Sequence, residues 1–221
     1  MKENFCDKKI DEKEKKVASK PIPDNRYRQF KYSLEEISGI NKSRNLTLLA
    51  LGVSTGYRLQ DIADLTIGGV QEALDNGFFL IQEKKQYNAY LTYIKKHPNS
   101  TRKPPKSRKA HISDNLDLIL KEYIRGKPKR EYIFKSNSDN GYITAKSFSR
   151  ILTKAAVLIN LKNISGHSLR KTYAKRIYDS YGDIERVRQR LGHKSIETTK
   201  LYLGLYDEED KEDANVVGSL L

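Results

Sequence analysis

The sequence predicts an α+β fold that is mainly α-helical, with a small three-stranded antiparallel sheet between the helices. Two observations favour this fold class. Apolar residues recur every three to four positions over most of the chain, which is the period of an amphipathic helix. Between residues 77 and 113 the period changes, and short aromatic or β-branched runs alternate there with Asn, Gly and Pro. We therefore expect one helical domain that contains one small sheet.

The N-terminal residues 1–31 are predicted to be a flexible charged leader or the remnant of a linker. Lys, Glu and Asp alternate there with two prolines, and such a composition buries too little apolar surface to offset the entropy of ordering. The folded domain, residues 32–206, is predicted to start with a helix at Ser33, because Ser33 and Glu36 have the spacing of a capping box. That helix should end near Gly39.

The next elements are a buried helix and then the predicted sheet. Residues 44–53 are nearly all apolar, which is typical of a helix buried on most sides. A short amphipathic turn at residues 61–66 precedes three predicted strands. The strands are expected within residues 77–85, 89–94 and 107–113.

Helices are predicted again for most of the C-terminal half. The helical period returns after Asp114 and from Phe148 to Leu158. Asp183 and Ser195 are candidate N-caps for two further helices, and Gly192 is a candidate left-handed C-cap between them. Residues 207–221 are expected to be an acidic spacer followed by an apolar tail.

The charge of the chain indicates a polyanionic partner. The 221 residues include 42 Lys and Arg against 28 Asp and Glu, a formal net charge of +14. Nine of the basic residues lie between Lys84 and Lys109 without a single acid, interleaved with three tyrosines. Such a stretch repels itself unless an anion lies against it, and nucleic acid is the commonest partner of this kind.

Composition also excludes several classes of protein. Cys6 is the only cysteine, so an internal disulfide framework is excluded and a reducing, cytoplasmic setting is expected. No run approaches the length of about 18 apolar residues that a membrane span needs, so no membrane partner is expected. The four histidines lack the paired spacings of a zinc site, and no metal is predicted.

A set of motifs in the second half of the chain carries the functional signal. His167 and Arg170 form a His-x-x-Arg motif, residues 191–193 read Leu-Gly-His, and Tyr202 follows nine residues after that histidine. Far upstream, residues 55–62 read Thr-Gly-Tyr-Arg-Leu-Gln-Asp-Ile. In this order and spacing the motifs resemble the signature of the tyrosine recombinases, or phage integrase family. The resemblance covers the catalytic domain of that family, roughly residues 32–203.

The resemblance implies a site-specific recombinase that cleaves and rejoins DNA without ATP, metal or any other cofactor. Tyr202 would be the nucleophile that forms a 3′-phosphotyrosine link. Arg58 and Arg170 would bind the non-bridging phosphate oxygens, since guanidinium groups bind phosphate bidentately and stay charged. His167 would accept the tyrosine proton and His193 would hydrogen-bond the phosphate. The supporting residue Asp61, in place of the more frequent Glu, would brace Arg58.

The family also uses a lysine in the hairpin between its second and third strands. Counting backwards from the strand at residues 107–113 places this lysine at Lys103, whereas counting forwards from the preceding strand places it at Lys84 or Lys85, of which Lys84 is the next choice after Lys103. Both assignments stay open. Further DNA contacts are expected from basic residues beside the motifs, namely Lys84, Lys85, Lys106, Arg108, Lys171 and Lys194.

The implied partner is double-stranded DNA, bound by a homotetramer that forms from a monomer in solution, in a cytoplasmic, nucleoid-associated setting. The apolar tail would dock on a neighbouring protomer or fold back on its own domain. The family usually carries an N-terminal helical DNA-binding domain, for which residues 1–31 are too few, so a catalytic fragment or an unusually short recombinase is expected.

Two other functions compete with recombination. A type IB topoisomerase shares the two arginines, a histidine and the tyrosine, but the small size and the Leu-Gly-His motif favour a recombinase. A non-catalytic DNA-binding relative would be expected to have lost some of the polar groups. A metal-dependent nuclease is disfavoured because the acids cluster near the C-terminus instead of beside the basic motifs.

Overall fold

The computed structural model describes residues 18–136 and 140–219, without the side chains of residues 207–209. These residues form a mainly helical domain with one two-stranded antiparallel sheet. In chain order the elements are α1 (Asp24–Ser38), α2 (Lys42–Thr55), α3 (Leu59–Ile62), α4 (Ile67–Asn76), β1 (Phe78–Ile81), α5 (Lys84–Lys96), β2 (Arg108–His111), α6 (Asp114–Ile124), α7 (Ala145–Leu158), α8 (Gly166–Tyr181), α9 (Ile184–Leu191), α10 (Ile196–Leu203) and α11 (Leu205–Gly218). A 3₁₀ turn at Gly39–Asn41 joins α1 to α2.

The main hydrophobic core lies around α2. The nearly apolar sequence of α2 buries most of its side chains against α1, α6 and α8, and α7 packs in turn against α1 and α8. The contact with α8 depends on a small residue, because a Cβ placed on Gly52 would lie 2.7 Å from Leu169 Cδ1. The predicted buried helix at residues 44–53 is thus confirmed, and its close contact with α8 sets the distance between Arg170 on α8 and the turn after α2 that carries Arg58.

A second, smaller core cluster joins the C-terminal helices. It consists of Ala174, Val187, Leu191, Leu203 and Leu205, which come from α8, α9, α10 and the first turn of α11. Capping residues set the boundaries of these helices as predicted. Asp183 and Ser195 accept N–H groups of the first turns of α9 and α10, and Gly192 ends α9 in the left-handed conformation. This cluster holds α10, and therefore Tyr202, against α8.

The prediction of three strands is wrong, because the middle strand is a helix. Strands β1 and β2 pair antiparallel with Phe79 opposite Ala110, both buried. Residues 89–94, predicted as a strand, lie within α5. No Gly or Pro interrupts residues 84–96, and the partly shielded side chains of Gln86, Tyr90, Tyr93 and Ile94 recur at helical spacing. Helical periodicity therefore overrides the strand preference of the tyrosines.

The predicted start of the folded domain is also too late. Helix α1 begins at Asp24, and the side chains of Ile22 and Phe30 are buried in the main core. Ser33, the predicted N-cap, lies inside α1 and donates a hydrogen bond to the carbonyl oxygen of Ala155. Apolar residues at positions 22, 30 and 34 anchor this segment despite its charged surroundings. Residues 1–17 of the predicted leader lie outside the described residues.

The C-terminal segment forms one continuous helix, α11. The predicted acidic spacer and the start of the predicted tail both belong to it. Leu205 is buried, but the described side chains from Tyr206 to Ser219 are all exposed. The described part of the tail therefore does not fold back on its own domain. None of the helices described is both long and apolar enough to cross a membrane.

Candidate active site

The turn between α2 and α3 positions Arg58. Gly56 ends α2 with a left-handed φ of +61°, and a Cβ on this residue would overlap the ring of Tyr173. Tyr57 is buried, and its hydroxyl donates to the carbonyl oxygens of Phe79 and Arg108 in the two strands. Because Gly56 and Tyr57, the two residues before Arg58, are fixed in this way, the side chain of Arg58 is directed into the space between α2, β1 and α8.

Arg170 reaches the same space from α8 and is almost completely buried, with 2% of its side chain exposed. Its guanidinium donates to two main-chain carbonyls, Gly56 O at 2.8 Å and Leu191 O at 2.5 Å. These bonds join α8 to the end of α2 and to the end of α9. Burial lowers the pKa of Arg170, and the charge of Glu83 acts in the opposite direction. A buried guanidinium of this kind requires a nearby anion.

Glu83 supplies that anion, and sequence reasoning did not single it out. Its carboxylate accepts hydrogen bonds from Arg58 Nη1 at 2.5 Å, Arg170 Nη1 at 2.6 Å and Arg108 Nε at 3.2 Å. Burial would raise the pKa of the Glu83 carboxyl, but the charges of Arg170, Arg58 and Arg108 hold it below its usual value. The sequence signal for this residue is its position, because Glu83 is a single acid directly before the acid-free basic stretch of residues 84–109.

Arg108 is part of this cluster and not of an exposed DNA-facing surface. Its guanidinium donates to the carbonyl oxygens of Thr55 and Arg190 and lies over the ring of Tyr57, 3.6 Å from the centroid. Only 10% of the side chain is exposed. Most donors of Arg108 are thus bound within the protein, and its direct contact with DNA stays a prediction.

Asp61 does not brace Arg58 as expected. One oxygen of its buried carboxylate accepts the main-chain N–H of Lys84 at 2.9 Å, and the other oxygen has no hydrogen-bond partner among the described residues. Burial raises the pKa of this carboxyl. The supporting role of Asp61 is thus to hold the start of α5, while Glu83 holds Arg58.

His193 and Tyr202 meet on the other side of Arg170. The two rings are in edge-to-face contact with centroids 5.2 Å apart, and His193 Nδ1 lies 3.1 Å from the hydroxyl oxygen of Thr199. Burial and the charges of Arg170 and Arg58 lower the pKa of His193 to about 4, so this ring is neutral at pH 7. A neutral imidazole bound through Nδ1 keeps Nε2 for a ligand.

The hydroxyl of Tyr202 is buried and makes no hydrogen bond of good geometry among the described residues, although the guanidinium of Arg170 lies beside it. Burial raises the pKa of Tyr202 to about 12, although the charges of Arg170 and Arg58 oppose that shift. A buried hydroxyl without a partner costs free energy, typically about 1–3 kcal/mol. Such a group is expected where a ligand supplies the missing partner.

His167 lies at the open edge of the site, at the start of α8. The ring is exposed and lines a cleft of about 480 Å³ together with Ser165, Lys171 and Tyr202. One side of the ring nevertheless lies against the protein, and this loss of solvation lowers the pKa of His167. The charges of Arg58, Lys85, Arg170 and Lys171 lower it further. The histidine is therefore neutral at pH 7 and can accept a proton.

The structure places the two candidate lysines differently. Lys84 Nζ is bound to Asp64 at 2.6 Å and to the carbonyl oxygen of Gln60 at 2.7 Å. Lys103 lies in the exposed connection between α5 and β2. Neither is held in the site by the contacts described.

The other predicted DNA-contacting residues all reach the protein surface. Lys85, Lys106 and Lys194 are exposed. Lys171 is partly exposed, with its ammonium 5.1 Å from the centroid of the Tyr202 ring. The charge of Lys85 acts on His167, so the first turn of α5 borders the site. Lys85 and Lys171 therefore border the cleft, and DNA contact by Lys106 and Lys194 stays a prediction.

Comparison with known proteins gives a family match over most of the chain. The model of the phage integrase family matches residues 26–209. The probable integrase/recombinase YoeC of Bacillus subtilis (strain 168) is 29% identical over 195 residues, which covers 85% of this chain and 96% of YoeC. The tyrosine recombinase XerD of Brucella suis biovar 1 is 26% identical over 163 residues, or 73% of this chain and 48% of XerD.

Solved structures show the same fold. The XerH site-specific recombinase bound to its difH substrate has a TM-score of 0.57 at 21% identity, over 84% of this chain and 50% of XerH. This chain thus spans about half the length of XerD and of XerH, but nearly all of YoeC.

Proposed function

Because this chain belongs to the phage integrase family, we propose that it breaks and rejoins DNA in site-specific recombination, with Tyr202 as the nucleophile. The observation that carries this proposal is the convergence of Arg58, Arg170, His193 and Tyr202 from four separate segments onto one site. Arg58 and Arg170 share the carboxylate of Glu83. Arg170 also donates to the carbonyl oxygen of Leu191, two residues before His193, and the rings of His193 and Tyr202 are in contact. The structures of similar fold include recombinases and a transposon integrase in complex with DNA, which favours DNA as the substrate.

In the proposed reaction a DNA phosphodiester enters the cleft beside Tyr202. The tyrosine oxygen bonds to phosphorus while the bond to the 5′ oxygen breaks, and the tyrosine proton passes to His167. Arg58, Arg170 and His193 stabilise the charge that develops on the non-bridging oxygens. The departing 5′ oxygen takes a proton from Lys103, with Lys84 as the alternative. Attack by the 5′ hydroxyl of a partner strand on the 3′-phosphotyrosine reverses these steps, so no external energy source is needed.

The lysine assignment favours Lys103 on the contacts described. Lys84 would first have to leave its ion pair with Asp64, whereas the exposed connection that carries Lys103 is joined to β2 beside the arginine cluster. Arg108 marks that end of β2.

The experiment that tests the function is covalent capture of DNA in the absence of metal. The protein is incubated with nicked duplexes of randomised sequence, in which a short 5′-hydroxyl fragment diffuses away after cleavage and leaves the adduct trapped. We expect a protease-sensitive protein–DNA adduct, and sequencing of the captured DNA would give the preferred half-site. Formation of free, unlinked ends that requires a divalent cation would instead indicate a nuclease.

We also propose that the exposed end of α11 docks on a second copy of the chain in a tetramer on DNA. Val216 and Val217 are 68% and 66% exposed, and they follow the acidic segment. Truncation after Asp213 is expected to leave cleavage of a half-site intact and to abolish the higher assembly on paired DNA sites. Gel-shift and light-scattering measurements on the captured sequence check this, and an unchanged tetramer would contradict the docking role.

A further inference from the structure

The arginines of the site are held together by the carboxylate of Glu83, a residue without a role in the proposed reaction. Three guanidinium groups, those of Arg58, Arg108 and Arg170, all bind the carboxylate of Glu83, which is itself 2% exposed. Gln86 adds a fourth hydrogen bond at 3.0 Å. Glu83 lies between β1 and α5, directly before the acid-free basic stretch. The burial and the four hydrogen bonds of this carboxylate indicate that it contributes to the arrangement of the site.

The three arginines depend on Glu83 to different degrees. Arg170 is also held by two main-chain carbonyls, and Arg108 by two carbonyls and the ring of Tyr57. For the guanidinium of Arg58, the hydrogen bond within the described part of the chain goes to Glu83. Glu83 therefore fixes Arg58 relative to Arg170, since Oε2 accepts from Arg58 while Oε1 accepts from Arg170 and Arg108.

The carboxylate also sets the charge of the site. Three guanidinium groups and one carboxylate leave a net charge of +2 in a buried volume. A phosphodiester brings one negative charge, and its transition state with a tyrosine oxygen approaches two. With Glu83 present the site thus matches the transition state, whereas a charge of +3 would bind any anion more strongly without favouring the transition state.

We propose that Glu83 is a positioning residue for phosphoryl transfer, which joins Arg58 to Arg170 at a fixed spacing and balances the charge of the arginine cluster. The inference rests on the proposed function. In this role Glu83 stays bound to the arginines when the phosphate enters, and the phosphate uses the remaining N–H groups of Arg58 and Arg170. Alternatively, the Glu83 carboxylate could occupy the place of the phosphate and have to move out before DNA binds. In that role its removal would raise the cleavage rate, whereas in the positioning role its removal lowers the rate.

The test compares Glu83→Gln and Glu83→Asp with Glu72→Gln, which removes an exposed acid on α4. Affinity and single-turnover cleavage are measured separately on the captured half-site. For Glu83→Gln we expect a cleavage rate about 10²-fold lower, because loosened positioning of a reacting group costs about this much. Affinity should be unchanged or a few-fold higher. Glu83→Asp keeps the charge and should retain an intermediate rate, and Glu72→Gln should behave as wild type.

Three results would overturn the proposal. Equal cleavage rates in Glu83→Gln and wild type would remove the positioning role. Faster cleavage would identify Glu83 as a displaceable stand-in for the phosphate. Parallel loss of affinity and rate in both Glu83 variants, with a lower melting temperature, would indicate a purely structural ion pair.

A measurement without DNA separates failure of this proposal from failure of the proposed function. Thermal unfolding is followed in sodium sulfate and in sodium chloride at equal ionic strength. Glu83→Gln leaves the three arginines without their anion, so sulfate should raise its Tm by at least about 3 °C more than it raises the Tm of wild type. Equal responses would contradict the charge-balancing role even if wild type forms the DNA adduct. A larger response would support it even if no adduct forms.

Discussion

Tyr202→Phe is expected to abolish the covalent DNA adduct while leaving DNA binding intact. The substitution removes only the hydroxyl oxygen that would bond to phosphorus, so no 3′-phosphotyrosine link can form. Removal of a buried hydroxyl that makes no hydrogen bond of good geometry among the described residues should leave the melting temperature unchanged or raise it slightly. Loss of the adduct could then not be attributed to unfolding. Adduct yield by denaturing gel, affinity by gel shift and thermal unfolding together check this expectation.

Tyr206→Phe is the matched control for this variant. Tyr206 lies four residues further along, on α11, and its side chain is 40% exposed. We expect Tyr206→Phe to form the adduct at the wild-type rate. If the adduct persists in Tyr202→Phe and disappears in Tyr206→Phe, the nucleophile is Tyr206 on the neighbouring helix. This result would contradict the geometry proposed for the site.

Arg58→Ala is expected to slow cleavage by about 10³-fold with little change in DNA affinity. Loss of one preorganised charged donor to a developing phosphoryl charge typically costs two to three orders of magnitude or more in rate. The Arg58 side chain is 17% exposed, so its removal should affect stability modestly. Arg150→Ala, which removes an exposed arginine on α7, should leave the rate unchanged. A fall in affinity that accounts for the whole loss would make Arg58 a DNA-binding residue only.

Arg170→Ala is expected to lose as much activity as Arg58→Ala and also to be markedly less stable. Its removal leaves the carbonyls of Gly56 and Leu191 without this donor and takes away the most deeply buried of the three guanidinium groups that bind Glu83. Breaking a buried ion pair by removing one partner typically costs about 3–5 kcal/mol. Thermal unfolding should therefore separate the two arginine variants. Equal stability of Arg58→Ala and Arg170→Ala would contradict the anchoring role of Arg170.

The helices and the motif residues were predictable from the sequence because their signals are local. Asp183, Gly192 and Ser195 act through bonds to residues three or four positions away, so their capping roles could be read from spacing alone. The spacing of His193 and Tyr202 likewise places them on adjoining elements, and the structure brings their rings into contact.

The features that could not be predicted depend on distant contacts. Glu83 acquires its role only when β1 brings it to arginines that lie 25 and 87 positions away in the sequence. Residues 89–94 are predicted as a strand because tyrosines favour strands. Among the described residues the sheet has only β1 and β2, and residues 89–94 belong to the helix α5 instead. Asp61 was assigned to Arg58 through the resemblance, but here it binds the main chain of Lys84.

The most direct test of the proposed chemistry is to identify the amino acid that carries the DNA. Adducts captured on the nicked duplexes are digested with nuclease and protease, and the modified peptide is sequenced by mass spectrometry. We expect a single modified peptide that contains residues 201–206, with the nucleotide joined through its 3′ phosphate to Tyr202 and not to Tyr206. A nucleotide on any other residue, or a link through a 5′ phosphate, would contradict this expectation.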